Sequence, residues 1–278
     1  MSAAPQEFGA VLPIGYADED GRVHNEAVLR KMRGHEEALL YDDSLSAPGL
    51  VTELIRGCLL RLGDIEQPDA AVISALYTAD RNYLLLEIRR ITLGDLMSAV
   101  YRCPACGSGV MVTEDLGALP VRHLDGGQPE DRVVELEDGY TDHHGEHHTS
   151  VELALPRGDD EEFVAPMLDR DPLKAHDALL LRCVRRFGSL PRSALEAYGV
   201  KILRDLALGD RRRLQRAIDG EAAGVDFARA VSCGECGSAF EQMLDVSRFL
   251  VPSSEDRAGC DRRSSTSPSI STGPGARS

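Results

Sequence analysis

Two copies of one short pattern constrain this chain more than any other feature. They are Cys103-Pro104-Ala105-Cys106-Gly107-Ser108 and Cys233-Gly234-Glu235-Cys236-Gly237-Ser238. Two residues between cysteines let both sulfurs face one ion, and the following Gly relieves crowding where the backbone turns back. The flanks repeat as well. Val100-Tyr101-Arg102 and Ala230-Val231-Ser232 precede the pairs, and Asp115-Leu116 and Asp245-Val246 follow at the same offset. Each pair reads as half of a zinc knuckle. Together they supply the four soft ligands of one structural zinc site: Cys103, Cys106, Cys233 and Cys236. Pairs that act separately, or carry no metal, are the alternative. A dithiol redox site fits less well, because such motifs open a helix. Here Gly-Ser and an extended run follow each pair.

A chain of 278 residues with 42% apolar content has ample material for a core. The formal net charge of -15 repels phosphate backbones and argues against a general nucleic-acid binder. No apolar run is long enough to span a bilayer, and residues 1–7 lack the basic-then-apolar layout of a signal peptide. The expected location is the cytoplasm, with cysteines present as thiols or metal ligands. Cys58 and Cys183 fall inside apolar helical patterns and read as small core side chains, while Cys260 lies in a polar tail.

Local patterns predict an α+β chain. Residues 1–10 read as a flexible lead. Segment 11–95 opens with a hairpin around Asp18-Glu19-Asp20-Gly21, then a helix over Gly34–Leu40. Further helices are expected at Leu54, Ile55, Cys58, Leu59 and Leu62, entered at Pro48, and over Ala79–Ile91, stopped by Gly94. Segment 96–156 holds the first knuckle, flanked by strands Ala99–Arg102 and Val110–Thr113, and a β region with strands Arg132–Glu137 and Ser150–Leu155. Segment 157–230 is helical. Its predicted stripes are Leu173, His176, Leu179, Leu180 and Cys183, then Leu195, Tyr198, Ile202 and Leu206. Leu208-Gly209-Asp210 is expected to end one helix and cap the next, Arg211–Ile218. Segment 231–252 carries the second knuckle. Residues 253–278, rich in Ser, Gly, Pro and Arg, are expected to be disordered.

Other clusters carry weaker chemistry. His143, His144, His147 and His148 sit between two strands and read as a solvated loop with incidental metal affinity. Arg211, Arg212, Arg213 and Arg216 form a basic helix face, or a docking surface for an acidic partner. Glu36-Glu37 and Asp159-Asp160-Glu161-Glu162 fall at helix starts, where negative charge is favoured. No phosphate-cradling Gly-Lys-Ser/Thr loop, Gly-x-Ser-x-Gly elbow or His-Glu-x-x-His helix occurs. The expected chain is not an enzyme.

Four stretches, in order, resemble a known family. They are Leu12-Pro13 through Asp20-Gly21 to Gly34-His35-Glu36-Glu37; Cys103-Pro104-Ala105-Cys106; Leu153-Ala154-Leu155-Pro156-Arg157-Gly158-Asp159; and Leu208-Gly209-Asp210-Arg211-Arg212-Arg213-Leu214 with Cys233–Cys236 and Phe249-Leu250. The order is similar to that of the baseplate hub assembly chaperones of T-even-like contractile phages and contractile injection systems. The resemblance spans most of 11–251 and implies a non-enzymatic role, with baseplate hub or wedge proteins as partners. The resulting expectation is a split four-cysteine zinc-ribbon base joining an N-terminal hairpin and helices, a central β segment and a C-terminal helical segment. Gly34–Leu40 and Arg211–Arg216 are the expected contact surfaces. The competing expectation is a zinc-ribbon adaptor for nucleic acid or the transcription machinery, which would bind with strong salt dependence.

Overall fold

The computed structural model describes residues 6–250 apart from 126, 169, 220–222 and 247–248. The chain opens with the hairpin β1 (Phe8–Ala17) and β2 (Val23–Leu29), followed by α1 (Gly34–Leu39) and α2 (Ala47–Cys58). Ser46 caps α2 by accepting the Gly49 N–H at 3.3 Å, with a proline in the first turn. Leu54, Ile55 and Cys58 then recur at helical spacing on the buried side. Helix α2 runs directly into β3 (Leu59–Leu62) and β4 (Ile65–Glu66), which complete an antiparallel sheet in the order β1-β2-β3-β4. The short α3 (Ala70–Ser74) leads to α4 (Thr78–Leu93), which buries Leu84, Leu85 and Ile88 and stops at Gly94. The first knuckle joins β5 (Leu96–Arg102) to β6 (Gly109–Asp115). A 3-10 turn at Leu116–Ala118 and β7 (Val121–Arg122) follow.

The second half runs β8 (Arg132–Thr141), β9 (His147–Leu153), α5 (Gly158–Leu168), α6 (Pro172–Cys183), β10 (Val184–Phe187), α7 (Arg192–Asp205) and α8 (Leu208–Asp219). Its sheet has the order β10-β9-β8. Then come β11 (Gly224–Val225), which pairs back with β7, and the second knuckle hairpin, β12 (Ala228–Ser232) and β13 (Ala239–Met243).

The two halves are copies of one unit. Each has a bulged hairpin, a helix that passes without a loop into the third strand, a helical pair, and a knuckle hairpin. The bulge lies between Val11 and Tyr16 in β1 and between Glu135 and Tyr140 in β8. The Arg30 N–H donates to the Cys58 carbonyl at 2.8 Å, and the Ala154 N–H to the Cys183 carbonyl at 2.8 Å. In the first unit Arg81 donates to Thr52 Oγ1 at 2.8 Å and to the Ile73 carbonyl at 3.3 Å. In the second, Arg211 donates to Asp177 at 2.5 Å and to the Leu203 carbonyl at 3.1 Å. The units differ in core. One cluster gathers Ile55, Leu62, Leu84, Ile88 and Tyr101 together with Val231, Leu244 and Phe249 from the second hairpin. The other holds Val151, Leu180, Phe187, Ile202 and Leu214 and no knuckle residue.

Several expectations shift accordingly. Phe8, Gly9 and Ala10 belong to β1 rather than to a flexible 1–10 lead. Segment 96–156 does not pack as a unit, because the first knuckle joins the first core and β8–β9 the second. Leu173 is 72% exposed, Tyr198 is 64% exposed, and His176 is exposed too. The buried side of α6 is instead Ala175, Asp177, Leu180 and Cys183, because Asp177 is drawn inward by two arginines. The predicted histidine loop is shorter than expected, because β9 starts at His147 and only Asp142–Glu146 turn. The tail 253–278 and Cys260 lie outside the described residues.

Candidate metal centre

Each knuckle is built by the same two backbone bonds. The Cys103 N–H donates to the Ser108 carbonyl and the Gly107 N–H to the Cys103 carbonyl, both at 2.9 Å. In the second copy the Cys233 N–H donates to the Ser238 carbonyl and the Gly237 N–H to the Cys233 carbonyl, again at 2.9 Å. Gly107 and Gly237 sit at φ of 76° and 73°, a region open to glycine without strain. The tertiary fold then brings the two turns face to face. Cys103 Sγ lies 3.7 Å from Cys236 Sγ, and Cys106 Sγ lies 3.7 Å from Cys233 Sγ. All four sulfurs fall within 4.8 Å of one another.

The cross-pairs are equivalent: exchanging one knuckle for the other turns the Cys103–Cys236 pair into the Cys233–Cys106 pair. Four thiolates tetrahedrally placed about 2.3 Å from zinc would be about 3.8 Å apart, which the cross-pairs match. The residues therefore fit a metal ion. Cys103 and Cys233 are buried while Cys106 and Cys236 face solvent. Bonds from the Ser108 hydroxyl and backbone lower the Cys106 thiol to about 6. Its opposite number Cys236 is pushed up to about 12. The Ser238 backbone N–H pulls that thiol down, but sharing a proton with Cys106 and Cys103 outweighs it. Without a cation, the cluster loses one proton readily and resists losing the next, because thiolates this close repel. Buried support comes from Tyr101, whose hydroxyl donates to Glu114 at 2.8 Å. Arg229 on the opposite hairpin approaches the same carboxylate at 3.7 Å.

Cys58, Cys183 and the carboxylates at the starts of α1 and α5 serve the packing. Burial pushes the Cys58 thiol up to about 12, which keeps it protonated and inert, and Cys183 is likewise buried. Glu36 pairs with Arg30 and accepts the Arg33 N–H at 2.8 Å. Asp160 accepts from Arg182 at 2.6 Å. Glu162 accepts from Thr52 and Ser74, which ties α5 to the first unit. Of the arginine face, Arg211 is held by Asp177 and Arg213 by Glu137, so only part of that face is open.

Asp210 does not cap a helix end, as expected from sequence. It sits inside α8, fully buried, and its carboxylate accepts the N–H groups of Glu137, Asp138 and Gly139 at 2.7–2.9 Å. Its counterpart Asp80 in α4 accepts those of Ile14 and Gly15 at 2.8 and 2.9 Å. Each aspartate satisfies the backbone donors that a strand bulge leaves unpaired. Sequence reasoning missed this pair and the duplication behind it. The signal was present as Gly15-Tyr16-x-Asp18-x-x-Gly21-x-x-His24 and Gly139-Tyr140-x-Asp142-x-x-Gly145-x-x-His148.

The structure thus presents two similar units whose knuckle hairpins meet in one four-cysteine cluster. The model of the family described as T4 bacteriophage base plate protein matches residues 26–186, more than half of the chain. The chain belongs to that family. Neither a curated protein nor a solved structure matches it. Among the described residues, no helix is long and apolar enough to cross a membrane.

Proposed function

We propose that this chain is a non-enzymatic component or assembly factor of the baseplate of a contractile tail, acting through contacts with hub or wedge proteins. Family membership over residues 26–186 is the observation that carries this reading. The four-cysteine cluster supports a scaffold mechanism. Zinc bound there would clamp the two hairpins and so set the angle between two similar units, each offering a surface to a partner. The resemblance to hub assembly chaperones favours a role in preparing the baseplate.

The test is assembly. The tail genes would be expressed with the wild-type chain, without it, or with the double variant Cys103→Ser/Cys233→Ser, and particles counted by electron microscopy. Complete contractile particles should vanish without the chain and fall sharply with the variant. Normal particle numbers without the chain would overturn the baseplate role. Normal numbers with the variant would overturn the zinc-clamp mechanism alone.

A further inference from the structure

We infer that the hairpin turn of the second unit is a separate binding site for a divalent first-row transition ion, held by Asp142 Oδ2, the Glu146 carboxylate and His148 Nε2. One ligand atom from each of these residues lies within 4.8 Å of the others. His148 is only 3% exposed, and its Nε2 is buried with no hydrogen-bond partner. That nitrogen points at Asp142 Oδ2 from 3.6 Å, too far for a hydrogen bond and close to the spacing of two ligands on one ion. The other Asp142 oxygen is already occupied, accepting the His144 N–H at 2.8 Å and the Glu146 N–H at 2.9 Å. Oδ2 is thus left for the ion. Ser189 orients the remaining ligands. Its hydroxyl donates to Glu146 Oε1, and its backbone N–H and hydroxyl each lie 3.4 Å from His148 Nδ1, the N–H as a donor, so binding of an ion at Nε2 would shift the ring proton to Nδ1 and turn it toward the Ser189 hydroxyl oxygen.

The first unit is an internal control. Asp18 makes the same two backbone contacts, accepting the Asp20 and Arg22 N–H groups at 3.1 and 2.8 Å. There, however, His24 Nε2 bonds Asp18 Oδ2 directly at 2.9 Å, and Arg22 stands where the second unit has Glu146. One turn is closed by a His–Asp bond beside a cation. The other carries an extra carboxylate, an opened His–Asp distance and an orphaned nitrogen. An ion accounts for all three changes. Two carboxylates and one imidazole suit Mn2+, Fe2+ or Zn2+ rather than a thiolate-seeking metal. Bound there, the ion would fasten the turn between β8 and β9 to the buried His148 of β9.

Mn2+ is the probe, because it has little affinity for the four-cysteine cluster. Electron paramagnetic resonance of the full chain, titrated with Mn2+, should show about one tightly held ion. Glu146→Arg, which installs the first unit's residue at an exposed position, should weaken binding at least tenfold. The triple variant His143→Ala/His144→Ala/His147→Ala should retain binding, as should Cys106→Ser. Absence of bound Mn2+ on the wild-type chain would overturn the site, as would binding unchanged in Glu146→Arg. Loss of binding in the triple histidine variant would do the same, by assigning the affinity to exposed imidazoles. Circular dichroism of each variant separates loss of the ion from loss of fold.

Discussion

The two units answer one structural demand with the same aspartate and shift its acidity in opposite directions. Both strands β1 and β8 bulge, and both bulges present backbone donors to a carboxylate in the first turn of a helix. Burial dominates at Asp80. Against two backbone bonds and the pull of His123, it pushes the carboxyl up to about 6. Burial also opposes ionisation at Asp210. There three backbone donors and the nearby Arg213 guanidinium prevail and hold the carboxyl below its ordinary range. The balance between the burial penalty and the donors and charges aimed at each carboxylate sets the direction of its shift. The same divergence appears next door. Arg81 donates to Thr52 and lies 3.6 and 3.8 Å from the part-exposed Glu162 and Glu161, whereas Arg211 and Arg204 share the buried Asp177. The first unit compensates with apolar mass, since it collects both knuckle hairpins into its core.

The comparison fails most visibly if the knuckles are unequal. Elemental analysis of Glu146→Arg, in which the hairpin-turn site is disabled, should find about one zinc per chain shared between the units. Cys103→Ser and Cys233→Ser should each release it and lower the melting temperature by similar amounts, roughly 10 °C. A metal that survives one of these changes would dissolve the local symmetry of the centre.

Next in size is the aspartate pair. Asp210→Ala leaves three part-buried donors unpaired, and Asp80→Ala two buried ones. Each should cost about 3 kcal/mol, measured by urea unfolding at neutral pH. The pH response should differ in sign. Folded Asp80 holds its proton more tightly than the unfolded chain does. Between 3.8 and about 6 its contribution to stability therefore falls as pH rises. Folded Asp210 gives up its proton more readily, so its contribution is complete above 3.8 and is lost as pH falls. Asp80→Asn and Asp210→Asn should accordingly flatten opposite slopes of the stability-versus-pH curve. Parallel curves would remove the electrostatic distinction.

Smaller effects test the shared turn after β3 and β10. Gly63 and Gly188 sit at φ of 54° and 50°, with the rings of His24 and His148 where a Cβ would go. Alanine at either position should cost about 2 kcal/mol, measured by thermal melting. Smallest of all, Cys58→Ala and Cys183→Ala should each cost about 1 kcal/mol and leave the zinc content unchanged.

Much of the local structure was legible because it is encoded by near neighbours. Pro48 announces α2, Gly94 ends α4, and Asp18–Gly21 closes a hairpin, each through contacts a few residues long. The knuckles were legible for the same reason. Where reading failed, a distant partner had overruled local pattern. Asp177 turned α6 by attracting Arg204 and Arg211, and His148 left the solvated loop to enter β9. Asp210 looked like a cap because its three donors lie on a strand far back in the chain.

By itself, the sequence determined the turn chemistry of each Cys-x-x-Cys pair, the stop of α4 at Gly94, the first hairpin turn, and the presence of two similar pairs, since these rest on short-range sterics and hydrogen bonds. Only the tertiary structure decided that Cys103 faces Cys236 and Cys106 faces Cys233. It also decided that both hairpins share the first unit's core, and that matching aspartates in the two units ionise differently. Those outcomes depend on burial and on donors brought together from remote parts of the chain, which no local pattern records.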